Sequence, residues 1–215
     1  MIEVLVPASV VTVETRSDLL EVELFPEEVA SVGNAVEKRR REFVTGRACA
    51  RRALERLGVG PVPIASGEKG EPLWPDGVVG SITHCDGFRA CAAAMAGDIA
   101  SVGIDAEVHV PLPDGVLESV SSPQERRRLA GHGADVCFDK LLFSAKESIY
   151  KAWFPLARRW LGFEDVELSI DPRDATFRAR LLVEGPLVGG ERLTEFRGRW
   201  AVEDGVVAAA VVVSA

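Results

Sequence analysis

Twice along the chain a helical stripe of apolar residues gives way to short runs of β-forming residues, and this repetition limits the fold more than any other feature. Between residues 35 and 58, Val36, Phe43, Ala50, Leu54 and Leu57 recur seven, seven, four and three apart, and Gly58 ends the pattern. That spacing is one face of a helix. Residues 59–77, VGPVPIASGEKGEPLWPDG, are rich in glycine and proline and predict a long ordered loop. Strands are expected next at VVGSIT (78–83), FRACAAAM (88–95) and IASVGIDAEV (99–108), with Ala96-Gly97-Asp98 as a hairpin-like turn between the last two. The second half repeats the rhythm. A short helix over PQERRRLA (123–130) precedes a long one from about 138 to 156, where Phe138, Leu142, Ala145, Ile149, Ala152 and Leu156 alternate four and three apart. Strands at about 164–170, 176–184, 195–203 and 206–213 follow, the last two joined at Glu203-Asp204-Gly205. The expectation is an α+β protein of two similar halves, 1–108 and 109–215, each a long helix packed on an antiparallel sheet. The likeness of the halves is one of pattern, not of residue-level repeat.

A chain of 215 residues, 47% hydrophobic and 27% charged, can bury a substantial core. No run approaches the roughly 18 apolar residues of a membrane span. The apolar N-terminus lacks a basic region before it, so a cytoplasmic protein is expected. Cys49, Cys85, Cys91 and Cys137 show no metal-ligand spacing and read as reduced thiols. A net charge of −8 argues against a nucleic-acid binder of the electrostatic kind. Yet residues 38–56 hold eight Lys/Arg against two Glu, an excess of six, which leaves −14 for the remainder. Such local concentration suggests a small anionic ligand rather than a polymer.

In VGIDAEV (102–108), Asp105 and Glu107 are two apart on a strand, so both carboxylates share one face. Paired acids of this kind suit Mg²⁺, although a solvated strand end has the same spacing. In FSAKESIYKAW (143–153), Glu147 and Lys151 lie one turn apart on a helix, with Lys140 near the same meridian. A surface ion pair would contribute only about 0.3–0.5 kcal/mol, and the flanking Phe143 and Tyr150 are unusual for a solvated face. GSITHC (80–85) ends a strand with Thr83 and His84, just after the loop that carries Lys69. A lone histidine is more often structural than a ligand. On the basic helix, Arg40, Arg47 and Arg51 fall within about 40° of one another, a stripe suited to bidentate phosphate contacts. A solvated basic face is the ordinary alternative.

RRREFVTGR, GEKGEPLWPDG, GSITHC, VGIDAE and FSAKESIYKAW, in this order and at these distances, resemble the Sfp-type 4′-phosphopantetheinyl transferases. The likeness is nearest to the enterobactin synthase component D-like subgroup and its actinobacterial relatives. It runs from about residue 36 to the C-terminus and includes KAWFPLARRWLGFED and EFRGRW. The resemblance implies a pseudo-symmetric two-half α+β fold. It also implies transfer of the 4′-phosphopantetheine arm of coenzyme A to a serine of acyl or peptidyl carrier proteins, with adenosine 3′,5′-bisphosphate released. By the same resemblance Asp105, Glu107 and Glu147 hold Mg²⁺, Glu147 takes the serine proton directly or through water, and Lys151 neutralises the transferring phosphoryl group. Coenzyme A would be held by Arg39, Arg47, Lys69, Thr83 and His84; helix geometry pairs Arg40 with Arg47 instead. Some relatives carry a lysine where this chain has Ser66 or Glu71. A metal-dependent nuclease and a non-enzymatic carrier-protein or coenzyme A binding module are the competing readings. For the carrier protein, residues 110–129 offer Leu112, Val116, Leu117 and Val120 as an apolar centre with Arg126, Arg127 and Arg128 as rim, or simply a cover over the junction of the halves. One chain can complete the site, so a monomer is expected.

Overall fold

A computed structural model describes residues 1–19 and 22–215. In chain order it contains β1 (Val11–Thr15), a one-turn helix α1 (Pro26–Val29), α2 (Glu37–Arg56), β2 (Val78–Cys85), β3 (Phe88–Met95) and β4 (Ile99–Val108). Two short helices, α3 (Val116–Val120) and α4 (Pro123–Leu129), lead into α5 (Phe138–Ala157). β5 (Val166–Asp171), β6 (Thr176–Leu181), the small hairpin β7 (Leu187–Val188) and β8 (Glu191–Arg192), β9 (Glu195–Glu203) and β10 (Val206–Ser214) complete it.

The expected α+β architecture is present, as two antiparallel sheets ordered β1-β3-β2 and β4-β10-β9-β6-β5. α2 lies on the first sheet, where Cys49, Ala50, Ala53 and Leu54 pack with Val13, Cys91 and Ala93. α5 lies on the second, its Leu141, Leu142, Ala145, Ile149 and Ala152 packed with Val207, Ala209 and Val211. Between the sheets, Ala90, Ala92 and Ala94 of β3 meet Ile104 and Ala106 of β4 and Ala208 and Ala210 of β10. These alanines are fully or almost fully buried, and their small side chains let the layers approach closely. Burial on both faces explains why FRACAAAM reads as a continuous apolar run rather than an alternating one.

Two features differ from expectation. β1 is absent from the strands expected above: its five residues are hidden in the apolar N-terminus, and it pairs with β3 with Val13 opposite Cys91. The division at residue 108 groups β4 with the first half, as the partner of β3 in a hairpin. Its backbone is instead hydrogen-bonded to β10, from Val108 opposite Val206 to Ile99 opposite Ser214. The turn at Ala96-Gly97-Asp98 therefore passes the chain from one sheet to the other. The free edge of β4 runs beside β2, where hydroxyls replace a backbone ladder. Ile104 N–H donates to Ser81 Oγ (3.1 Å) and Ala106 N–H to Thr83 Oγ1 (3.0 Å). Buried edge amides are thus satisfied without a strand pair.

Gly103 sets how closely α5 lies on β4. A Cβ there would sit 2.0 Å from the Ser148 carbonyl oxygen and 2.6 Å from the Ala152 nitrogen, and backbone atoms cannot yield cheaply. Gly103→Ala is expected to destabilise by about 1–3 kcal/mol, as overpacking does, and to lower turnover because Glu147 and Lys151 adjoin those two contact residues. Urea unfolding with a parallel activity assay checks both; unchanged values would mean that α5 shifts freely.

Candidate active site

β4 sends Ile104 and Ala106 into the intersheet core, so Ser101, Gly103, Asp105 and Glu107 face α5. Ser101 and Gly103 are small where the helix touches, and Ser101 Oγ donates to the Ala152 carbonyl (2.8 Å). Beyond them the two acids meet polar side chains of α5. Lys151 Nζ donates to Asp105 Oδ1 (2.8 Å) and to the Ile104 carbonyl (3.1 Å). Lys140 Nζ forms an ion pair with Glu107 Oε2 at 3.6 Å. Thr83 Oγ1 donates to Asp105 Oδ1 at 3.4 Å, so Thr83 both seals the β4 edge and orients the acid. The other oxygen of Asp105, Oδ2, is buried with no hydrogen-bond partner among the described residues.

Glu147 is half-buried and has no ion pair or hydrogen bond to its carboxylate among the described residues. Burial pushes its carboxyl pKa up, and the charge of Asp105 pushes it further, against the opposing pull of Lys151. Glu107 is raised in the same way by burial and then by Asp105, with Lys140 opposing. Asp105, Glu107 and Glu147 therefore feel one another's charge. Even so, no group of three or more His, Cys, Asp or Glu among the described residues is gathered tightly enough to hold a metal ion. Two of the three acids are paired with lysines, Asp105 with Lys151 and Glu107 with Lys140.

The α5 lysine preceding Glu147 has a different task. Lys146 Nζ donates to Glu125 Oε2 (2.9 Å) and to the Phe163 carbonyl (2.8 Å). Lys146 and Glu125 are both buried, at 4% and 1% exposure. Sequence reading missed Glu125, although the capping-box pattern Ser122-x-x-Glu125 signals it.

Next to Thr83 at the end of β2, Arg39 Nη1 lies 2.6 Å from His84 Nε2. An arginine can only donate, so Nε2 accepts and the ring proton sits on Nδ1, 3.6 Å from Glu42 Oε2. Burial lowers the His84 pKa while Glu42 opposes the shift. Lys69 is exposed on the Gly/Pro-rich loop. With Trp74, Glu147, Tyr150 and Lys151 it lines a cleft of about 460 Å³, within the size range of ligand pockets. A small crevice on the other side of Glu147 is bounded by Lys146, Tyr150, Trp160 and Phe163, and Tyr150 packs on Trp160 with centroids 5.0 Å apart.

The arginine stripe of α2 does not form a continuous phosphate-binding row. Arg47 is buried, donating from Nε to the Ile64 carbonyl (2.6 Å) and from Nη2 to Ser66 Oγ (3.2 Å), and burial lowers its pKa to about 10. Arg51 is tied to the buried Glu28 and the Glu23 carbonyl. Both anchor loops, while Arg40 is exposed. Nor is 110–129 an open apolar patch. Val120 is buried, and Leu112 and Val116 pack on the α5 core. Arg126 donates to the Ser121 carbonyl (2.6 Å), and Arg128 to Glu167 and the Leu168 carbonyl (2.8 Å). Of the three arginines, Arg127 stays exposed.

The model of the 4′-phosphopantetheinyl transferase N-terminal domain matches residues 27–94, and that of the 4′-phosphopantetheinyl transferase superfamily matches residues 101–209. The chain belongs to this superfamily. All of β4 but its first two residues falls in the second match, in keeping with its pairing to β10. The chain is 55% identical to the 4′-phosphopantetheinyl transferase Svp of Streptomyces mobaraensis, over 100% of this chain and 90% of that protein. It is 47% identical to PptT of Mycobacterium tuberculosis, over 95% and 96% of the two chains. Npt of Nocardia iowensis is also 47% identical, over 98% and 99%.

Proposed function

We propose that the protein transfers the 4′-phosphopantetheine group of coenzyme A to a serine hydroxyl of acyl and peptidyl carrier proteins, releasing adenosine 3′,5′-bisphosphate. Glu147 carries this reading: a half-buried carboxylate with no partner among the described residues, between the β4 acids and an open cleft. Its raised pKa makes it a stronger base than an ordinary glutamate. In the reaction it accepts the serine proton as the serine oxygen forms its bond to the pantetheine phosphorus and the bond to the bisphosphate oxygen breaks. Lys151 places a positive charge beside the transferring phosphoryl group. The exposed Arg39, positioned by His84, presents donors to the remaining phosphates, Lys69 adds charge from the loop, and Arg47 holds that loop at Ile64 and Ser66.

The donor chemistry fits Mg²⁺. Asp105 Oδ2 is a buried oxygen with no donor among the described residues, and Glu107 and Glu147 are further hard oxygen ligands. When bound there, the metal supplies charge neutralisation for the diphosphate. Four unpaired cysteines suit a reducing compartment, the cytoplasm, and no described helix is long and apolar enough to cross a membrane. No observation favours a nuclease or a non-enzymatic binding module.

The test is direct. With coenzyme A, Mg²⁺ and an apo carrier protein, the carrier should gain about 340 Da, the mass of the phosphopantetheinyl group. Unchanged carrier mass would overturn the reading, and carriers from fatty-acid, polyketide and peptide systems assayed in parallel would define its range.

A further inference from the structure

Each of the two β4 carboxylates has its own lysine. Lys151 Nζ is 2.8 Å from Asp105 Oδ1 and Lys140 Nζ is 3.6 Å from Glu107 Oε2. Lys151 belongs to the transfer site proposed above, whereas Lys140 has had no role assigned. It is 9% exposed, stands in the first turn of α5, and holds its ammonium 6.0 Å from the centre of the Phe143 ring. A lysine this buried is uncommon unless it is paired, and its partner is one of the three candidate metal ligands. Asp105, Glu107 and Glu147 together carry −3 when ionised; Lys140 and Lys151 add +2, leaving −1. A divalent cation approaching the site alone meets little net attraction and must also compete with an ammonium for Glu107.

We propose that Lys140 is a resident counter-charge that keeps these carboxylates from holding a divalent cation by themselves, so that metal enters together with the substrate's diphosphate. The diphosphate restores the negative charge that the lysines cancel, and it offers the ammonium groups an anion in place of the acids they release. Without Lys140, Glu107 and Glu147 would both stand unopposed beside Asp105 and attract a metal ion in the absence of substrate, and ordering of the site would not depend on coenzyme A. The inference rests on the reading of Asp105, Glu107 and Glu147 as metal ligands.

Mn²⁺ is the probe, followed by electron paramagnetic resonance with and without coenzyme A. Wild type is expected to take up Mn²⁺ appreciably only with coenzyme A present. K140M should bind Mn²⁺ alone about tenfold or more tightly, as removal of one charge within a few ångströms implies, and its melting temperature should rise with Mn²⁺. K140R, which keeps the charge, should behave as wild type. If K140M folds poorly, K140Q removes the same charge. Equal Mn²⁺ affinity in wild type and both neutral variants, without coenzyme A, would overturn the proposal. The carrier-mass assay on the same preparations separates the two claims. Transfer by wild type without a gain in K140M or K140Q removes the counter-charge alone; the gain without transfer removes the reaction and supports the counter-charge.

Discussion

Replacement of Glu147 by Gln is expected to lower turnover by about two orders of magnitude or more, as loss of a group acting in the transition state often does. The fold should be at least as stable as the parent. These two outcomes follow from the same observation. Glu147 is half-buried without a hydrogen-bonding partner among the described residues, and its carboxyl pKa is raised first by burial and then by Asp105. A raised carboxyl pKa means that the folded state resists the charge. Folding is then favoured below the unfolded pKa, where the group is protonated in both states, and that advantage is lost as pH rises through the folded pKa. The charged form of Glu147 is thus a burden that the amide removes. Kinetics with saturating coenzyme A and carrier, set beside urea unfolding at pH 5 and pH 8, checks the pair. Near-normal turnover in the Glu147→Gln enzyme would end the assignment of Glu147 as base or metal ligand. A lower stability of that variant at pH 8 would mean that the carboxylate has a partner in solution.

How far residues reveal such a site depends on the range of the interaction. The helical faces of α2 and α5 are readable because spacing within one element reports them directly, and the shared face of Asp105 and Glu107 follows from the two-residue period of β4. The partner of β4 is not readable. An apolar strand buried on both faces says nothing about which sheet receives it, and β10 lies at the far end of the chain. The stripe of Arg40, Arg47 and Arg51 shows the same limit from the opposite side. Its helical alignment is real, but the Ile64 carbonyl and Glu28 come from separate segments and claim two of the three. Pairings such as Lys140 with Glu107 depend on how α5 crosses β4, which Gly103 permits and no local pattern announces. β1 escapes notice because five residues in an apolar N-terminus are too few to separate from their surroundings.

Glu125→Ala is expected to be the most destabilising single change considered, at about 3–5 kcal/mol, because it strands a buried charge. Glu125 sits where four pieces of the second half meet. Its Oε1 accepts from Leu168 N–H (2.7 Å), the first of these from β5. Its Oε2 accepts from Ser122 N–H (2.7 Å) at the start of α4 and from Lys146 Nζ (2.9 Å) on α5. Lys146 in turn donates to the Phe163 carbonyl (2.8 Å) in the turn before β5. Removing the carboxylate leaves two backbone amides without an acceptor and the buried Lys146 ammonium with only the Phe163 carbonyl and no counter-charge. Burial already lowers the Lys146 pKa, with Glu125 the largest opposing influence, so the ammonium loses its chief support. Replacing both partners at once should cost much less than Glu125→Ala, because neither charge is then stranded. The double variant Glu125→Leu, Lys146→Met therefore serves as the control. Urea midpoints for the single and double variants measure the difference, and if the two fall together the pair is not the brace that joins α4, α5 and β5. Lys146, held by Glu125, borders the crevice beside Glu147, so the single variant should also lose turnover. That loss should recover in the double variant to the extent that Lys146 serves packing rather than chemistry.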